Sequence, residues 1–168
     1  MSMEPNNDIV QDVLAGFDGV WKRVSGSMPG AAPPQEKSEP VPLARLAADA
    51  AAIAAYDRAL AQRFHSGTRA MLLARTQQSR NVCSRLEAEI FLRSGERPRI
   101  KAAPPALPRD DMAALRQSML ADEAAALSFD AAAEREHETE LAALLRDYAR
   151  RSRGAAAEKR AWILRSFR

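Results

Sequence analysis

Leu46-Ala47-Ala48-Asp49-Ala50-Ala51-Ala52-Ile53 returns 74 residues later as Leu120-Ala121-Asp122-Glu123-Ala124-Ala125-Ala126-Leu127. Further on, His65, Ala70, Leu72 and Leu73 return 72 residues later as His137, Ala142, Leu144 and Leu145. Each copy holds about two helices' worth of pattern, and an internal repeat constrains architecture before any motif does. The repeat predicts an all-α fold: a four-helix bundle made of two helix hairpins.

Composition agrees. Ala and Leu dominate the 168 residues and aromatics make up only 5%. Ala and unbranched side chains lose least on entering a helix. No segment alternates with period two and is rich in β-branched and aromatic residues, so no strand is expected.

Four helices follow from the periodicity. The first runs from Leu43 to about Phe64 and stops at a Ser66-Gly67 turn. The second runs from about Thr68 to Arg93, with Gly95 as its capping glycine. Residues 96–109 contain Pro98, Pro104, Pro105 and Pro108 and read as a longer connection between the hairpins. Asp110 and Asp111 cap the third helix, which reaches about Glu134. The fourth begins near Glu138, and Gly154 is expected to break or kink it before a last segment, Ala155 to Phe167. Ile53, Leu60, Leu72, Val82, Leu86, Ile90, Leu120, Leu127, Leu141 and Leu144 recur at helical spacing and form the predicted core. Trp162, Ile163 and Phe167 read as its last layer, Tyr56 as a core residue with a bonded hydroxyl, and Cys83 as a small core residue.

Two segments precede the bundle (residues 43–168). In residues 1–24, Val10, Val13, Leu14, Phe17, Val20, Trp21 and Val24 form one stripe of an amphipathic helix. That stripe must be covered, either by the bundle or by another chain, and Val13, Phe17 and Trp21 are the candidate partner-binding residues. Residues 25–42 hold five prolines and read as an extended linker.

Charge and cysteine content narrow the functional classes. The net charge is +3. From Arg146 to Arg168 eight basic residues face only Asp147 and Glu158, so this end carries +6 and the rest of the chain −3. Such a basic end can meet nucleic acid, or it can simply suit the C-terminus of a final helix. Cys83 is the only cysteine, which excludes an internal disulfide and a Cys-rich metal cage and suits a reducing, cytoplasmic setting. No secretory signal and no membrane span are expected. There is no Gly-rich phosphate loop, HExxH, CxxC or nucleophile–base arrangement.

The second helix ends in Ser84-Arg85-Leu86-Glu87-Ala88-Glu89-Ile90-Phe91-Leu92-Arg93-Ser94-Gly95-Glu96. In both copies an acid stands seven residues before an aromatic: Asp49 before Tyr56, and Asp122 before Phe129. With the short turns between paired helices, these features make residues 43–167 resemble the ferritin-like superfamily, in particular rubrerythrin-like proteins. The resemblance implies a di-iron site with a carboxylate on each of two helices and Glu-x-x-His on each of the other two. Here Asp49 stands at the first carboxylate position, and Glu123 or Asp122 at that of the third helix. Ser79 and Val82 stand where the second helix would carry Glu and His. Glu158 could be the fourth helix's carboxylate, but its i+3 partner is Ala161. Asp49, Glu123 and Glu158 therefore read as remnant metal positions without a histidine, too few to hold two ions tightly. The literal Glu134-x-x-His137 falls at a turn, and its repeat mate His65 is expected at the same end of the bundle.

Three functions follow, in this order. The first is a non-catalytic bundle that has lost its di-iron centre, needs no cofactor, and self-associates or binds a partner. The second is an iron-binding oxidoreductase of the rubrerythrin-like kind. The third is a nucleic-acid-binding helical protein that uses the basic C-terminus.

Overall fold

The computed structural model describes residues 41–166. Four α-helices make up this part: α1 (Leu43–Ala61), α2 (Ser66–Ser94), α3 (Asp111–Arg135) and α4 (Thr139–Arg165). There is no strand among the described residues, and none of these helices is long and apolar enough to cross a membrane. The N-terminal amphipathic helix, its residues Val13, Phe17 and Trp21, most of the proline-rich linker, and Phe167 lie outside the described residues.

Local chemistry sets the helix ends. Pro42, which lacks an N–H, precedes α1, and its carbonyl accepts from Arg45 and Leu46 at 3.0 and 3.1 Å. Gly95 closes α2 at φ 74°, the left-handed region, with its N–H on the Phe91 carbonyl at 2.8 Å. The Asp110 carboxylate accepts the Ala113 N–H at 2.6 Å and caps α3. Two boundaries differ from the sequence reading. Ser66 and Gly67 belong to the first turn of α2, so the chain reverses over residues 62–65. Gly154 neither ends nor interrupts α4, which runs through it. A Cβ at that position would meet nothing within 4 Å, so this glycine is a surface site inside a long helix that tolerates its propensity cost.

α1 packs against α2 and α3 against α4, giving two hairpins. Their association brings α1 against α3, while α2 and α4 touch only slightly. Two apolar clusters fill the interior. One joins Leu43, Leu46 and Ile53 of α1 to Leu86, Phe129, Ala132, Leu141 and Leu145. The other joins Leu60 and Ala61 to Leu72, Ala114, Leu115 and Ile163. The start of α1 thus lies with the end of α3, and its end with the start of α3, so the two are antiparallel. Ile100 packs on the first cluster and Leu107 on the second, so the 95–110 connection runs the length of the bundle. A consequence corrects the sequence reading: the hairpin turns that carry His65 and His137 lie at opposite ends.

The predicted core holds at Ile53, Leu60, Leu72, Val82, Leu86 and Leu141, all buried. Ile90, Leu144 and Cys83 are partly buried against the first cluster. Tyr56 and Trp162 are partly buried against the second, beside the buried Ile163. Leu120 and Leu127 are a correction, at 52% and 69% exposed. The physical reason is register. Leu43, Leu46, Ala50, Ile53, Ala54, Asp57, Leu60 and Ala61 are buried, and so are the eight positions 72 residues later. The matching letters are 74 apart, and a two-residue slip turns a helix by about 200°. Alanine strings match themselves at several offsets, so letter identity chose the wrong face.

Candidate functional site

Between the two apolar clusters lies a layer of buried polar groups. Every helix contributes: Asp57 from α1, Arg75 and Ser79 from α2, Ser118 and Asp122 from α3, Ser152 and Lys159 from α4. Each occupies an inward position of its helix. Asp57 continues the α1 stripe Leu46, Ala50, Ile53, and Leu60 follows it. Lys159 continues the α4 stripe Leu145, Tyr148, Ser152 toward Ile163.

Lys159 is the hub. Its side chain is fully buried, and Nζ donates to Asp57 Oδ2 at 2.8 Å, Ser118 Oγ at 2.6 Å and Asp122 Oδ2 at 2.6 Å. An ammonium has three N–H donors, and all three are engaged. Ser118 Oγ donates in turn to Asp57 Oδ1. On the other side Arg75 Nε donates to Asp122 Oδ1 at 2.8 Å, and Nη2 reaches Ser152 Oγ at 3.0 Å. Two carboxylates face one ammonium and one guanidinium, so the layer carries no formal net charge. Buried ions persist only when paired and hydrogen-bonded, and this arrangement meets both conditions. Burial pushes the Asp57 carboxyl above its ordinary range, against the opposing pull of Lys159 and Ser118. Ser79 Oγ is the one buried hydroxyl of the layer without a hydrogen-bond partner.

The metal positions read from the sequence do not meet in this layer. Asp49 and Glu158 are exposed, and Glu123 is half-buried in an ion pair with Arg160. Asp122, the other candidate on the third helix, does point inward. Ser79 and Val82 are both buried, Val82 within the first apolar cluster. Two divalent ions need several anionic oxygens with imidazole completing the sphere. Among the described residues the interior offers only the carboxylates of Asp57 and Asp122, each held by a cationic side chain, and no histidine. This donor set does not fit a di-iron centre. Among the described residues no group of three or more His, Cys, Asp or Glu is placed to hold a metal ion.

The layer stays buried but comes closest to solvent along the α2/α4 seam, where the two helices touch only slightly. A cleft of about 340 Å³ opens there, lined by Arg75, Gln78, Arg151, Gly154, Glu158 and Lys159 among others. Arg151 is paired with Asp147 at 2.7 Å, so the cations beside the cleft are already matched by acids. Nothing in this set activates a nucleophile: Lys159 has no donor or lone pair left for a substrate.

The basic C-terminal end is likewise engaged. Arg150 and Arg151 pair with Asp147, Arg153 with Asp130, Arg160 with Glu123, and Lys159 is buried.

No family model, curated protein or solved structure matches the chain.

Asp57, Arg75, Ser118, Ser152 and Lys159 were not singled out from the sequence. A signal for them was present: each interrupts an apolar stripe at a position where the 3.6-residue period demands an inward side chain.

Proposed function

We propose that this chain is a ferritin-like bundle of the rubrerythrin kind in which cationic side chains have taken the place of a metal centre. It then acts as a non-catalytic module, through self-association or partner binding, and needs no cofactor. Three features support this reading: two hairpins, one long connection along the bundle, and a polar layer to which each helix contributes. Bundles with one long crossover include the ferritin-like folds, whose metal ligands come from facing helices.

The observation that carries the reading is the charge balance around Asp57 and Asp122. The positive charge that a metal would bring to these carboxylates is already supplied by Arg75 and Lys159. A metal ion would have to expel a buried ammonium that makes three hydrogen bonds. The iron-dependent oxidoreductase is thereby disfavoured. Nucleic-acid binding is disfavoured by the engagement of five of the eight C-terminal cations.

Metal analysis and ferrous oxidation by the full chain, purified from iron-replete cells, test the proposal. Well below one iron per chain and no oxidation above the buffer rate are expected. Two irons per chain, or catalysed oxidation, would contradict it.

A further inference from the structure

The cleft on the α2/α4 seam holds polar groups that the bundle itself leaves unused. Arg75 is buried and Asp122 balances its charge, but only part of its guanidinium is engaged. Nε and Nη2 carry its hydrogen bonds to Asp122 and Ser152, and Nη1 has no partner among the described residues. Nη1 is not among the fully enclosed polar atoms that lack a partner, and Arg75 lines the cleft, so the N–H groups of Nη1 open into that space. Glu158 lines the same cleft as an exposed carboxylate without an ion pair among the described residues. The cations near it on α4 are already taken: Arg153 by Asp130 and Arg160 by Glu123. The cleft also presents Met71, Ala74, Gly154 and Ala155, which are apolar or small. A Cβ on Gly154 would meet nothing within 4 Å, so this stretch of α4 is an open floor.

Spacing decides what fits. Arg75 touches Ser152, and Glu158 stands six residues further along α4, about 9 Å up the helix axis. Helical side chains lean toward the N-terminus, which shortens this gap without closing it. We infer that the cleft binds a small ω-amino acid. Its carboxylate accepts from Arg75 Nη1, its ammonium pairs with Glu158, and the methylenes between them lie over Met71, Ala74 and Ala155. A dicarboxylate would set one anion against Glu158, and an α-amino acid holds its two charges too close together to reach both ends. A cleft of about 340 Å³ is at the small end of ligand sites, about 300–1,000 Å³, and suits a molecule of this size. The ligand is held and not transformed, since all three donors of Lys159 are engaged within the layer.

The test is an amide NMR titration of the full-length protein with 5-aminopentanoate, and with pentanoate, pentylamine and glycine as controls. Shifts should centre on Ala74, Gln78, Gly154 and Ala155, with saturation below about 1 mM. Pentanoate and pentylamine each lack one charged end and should bind about tenfold more weakly or worse. Glycine, with its charges adjacent, should be similarly weak. Glu158→Gln should remove the advantage of 5-aminopentanoate over pentanoate, and Gly154→Leu should weaken both by filling the floor. Both positions are exposed, so an unchanged helical spectrum is expected for each variant. The inference is overturned by no saturation up to about 10 mM. It is equally overturned by pentanoate binding as well as 5-aminopentanoate, by shifts centred away from the cleft, or by full affinity in Glu158→Gln.

Discussion

Lys159 and Asp57 stand 102 positions apart in the chain, on diagonally opposed helices, yet their charged atoms meet at 2.8 Å. The reach across the diagonal locks the two hairpins together at mid-height. Apolar contacts above and below this point are non-directional, whereas the ion pair admits one registry.

Removing the hub should be costly. Lys159→Met leaves Asp57 buried without its cation, and breaking one side of a buried pair costs about 3–5 kcal/mol. Adding Asp57→Leu and Ser118→Ala removes the groups left unpaired while Arg75 and Asp122 still match each other. The triple variant should regain most of the loss. Urea denaturation of the single and triple variants checks this; equal destabilisation in both would show that packing, not charge, is what Lys159 supplies.

The pH dependence has a definite sign. The raised Asp57 pKa means that the folded state holds this proton more tightly than the unfolded chain. Its contribution grows as pH falls through the folded pKa and is complete below the unfolded value. Asp147 behaves oppositely. Its pKa is lowered, chiefly by its hydrogen bond with Arg150, so its contribution is present above the unfolded value and is lost as pH falls through the folded one. Carbon-detected NMR titration should place Asp57 above, and Asp147 below, the usual aspartate range. In Lys159→Met the Asp57 value should rise further; an unmoved value would disconnect the two groups.

Two leucines that look alike in the sequence should differ in energy. Leu86 is fully buried, and Leu86→Ala should cost about 2–5 kcal/mol. Leu127 is 69% exposed, and Leu127→Ala should change the folding stability of the monomer by no more than about 0.5 kcal/mol. Thermal unfolding of dilute protein compares them. A large loss at Leu127 would return α3 to the face suggested by the letter repeat.

Much of the bundle was legible in the sequence, and the exceptions share a cause. Four helices, the Gly95 cap, the Asp110 cap and the long proline-bearing connection follow from period and end chemistry, which are local. The face of α3 does not, because the letters of Leu46–Ile53 match best 74 residues on, whereas the buried positions recur 72 residues on. The ends of the hairpins were misplaced for a related reason: a repeat in sequence fixes two similar hairpins but not whether they pack parallel or antiparallel. The polar layer is not local either: Asp57, Arg75, Asp122 and Lys159 take their meaning from one another, and they stand on four different helices.

Glycine substitutions separate Gly154 and Gly95 by backbone conformation. Gly154 lies inside α4 with open space around its would-be Cβ, and Gly154→Ala should stabilise the fold by about 0.5–1 kcal/mol. Gly95 sits at φ 74°, where alanine is strained, and Gly95→Ala should destabilise it by about 1 kcal/mol. Melting temperatures that move in the same direction for both would contradict the α4 and C-cap assignments.

The most direct test of the polar layer is the side-chain ammonium signal of Lys159 in lysine-labelled protein, recorded by NMR before and after anaerobic addition of ferrous iron. With all three N–H groups bonded and shielded from water, the signal should be slowly exchanging, and it should neither shift nor fade as iron is added. Loss of that signal with stoichiometric iron uptake would mean that a metal can displace the ammonium from Asp57 and Asp122, contrary to the account.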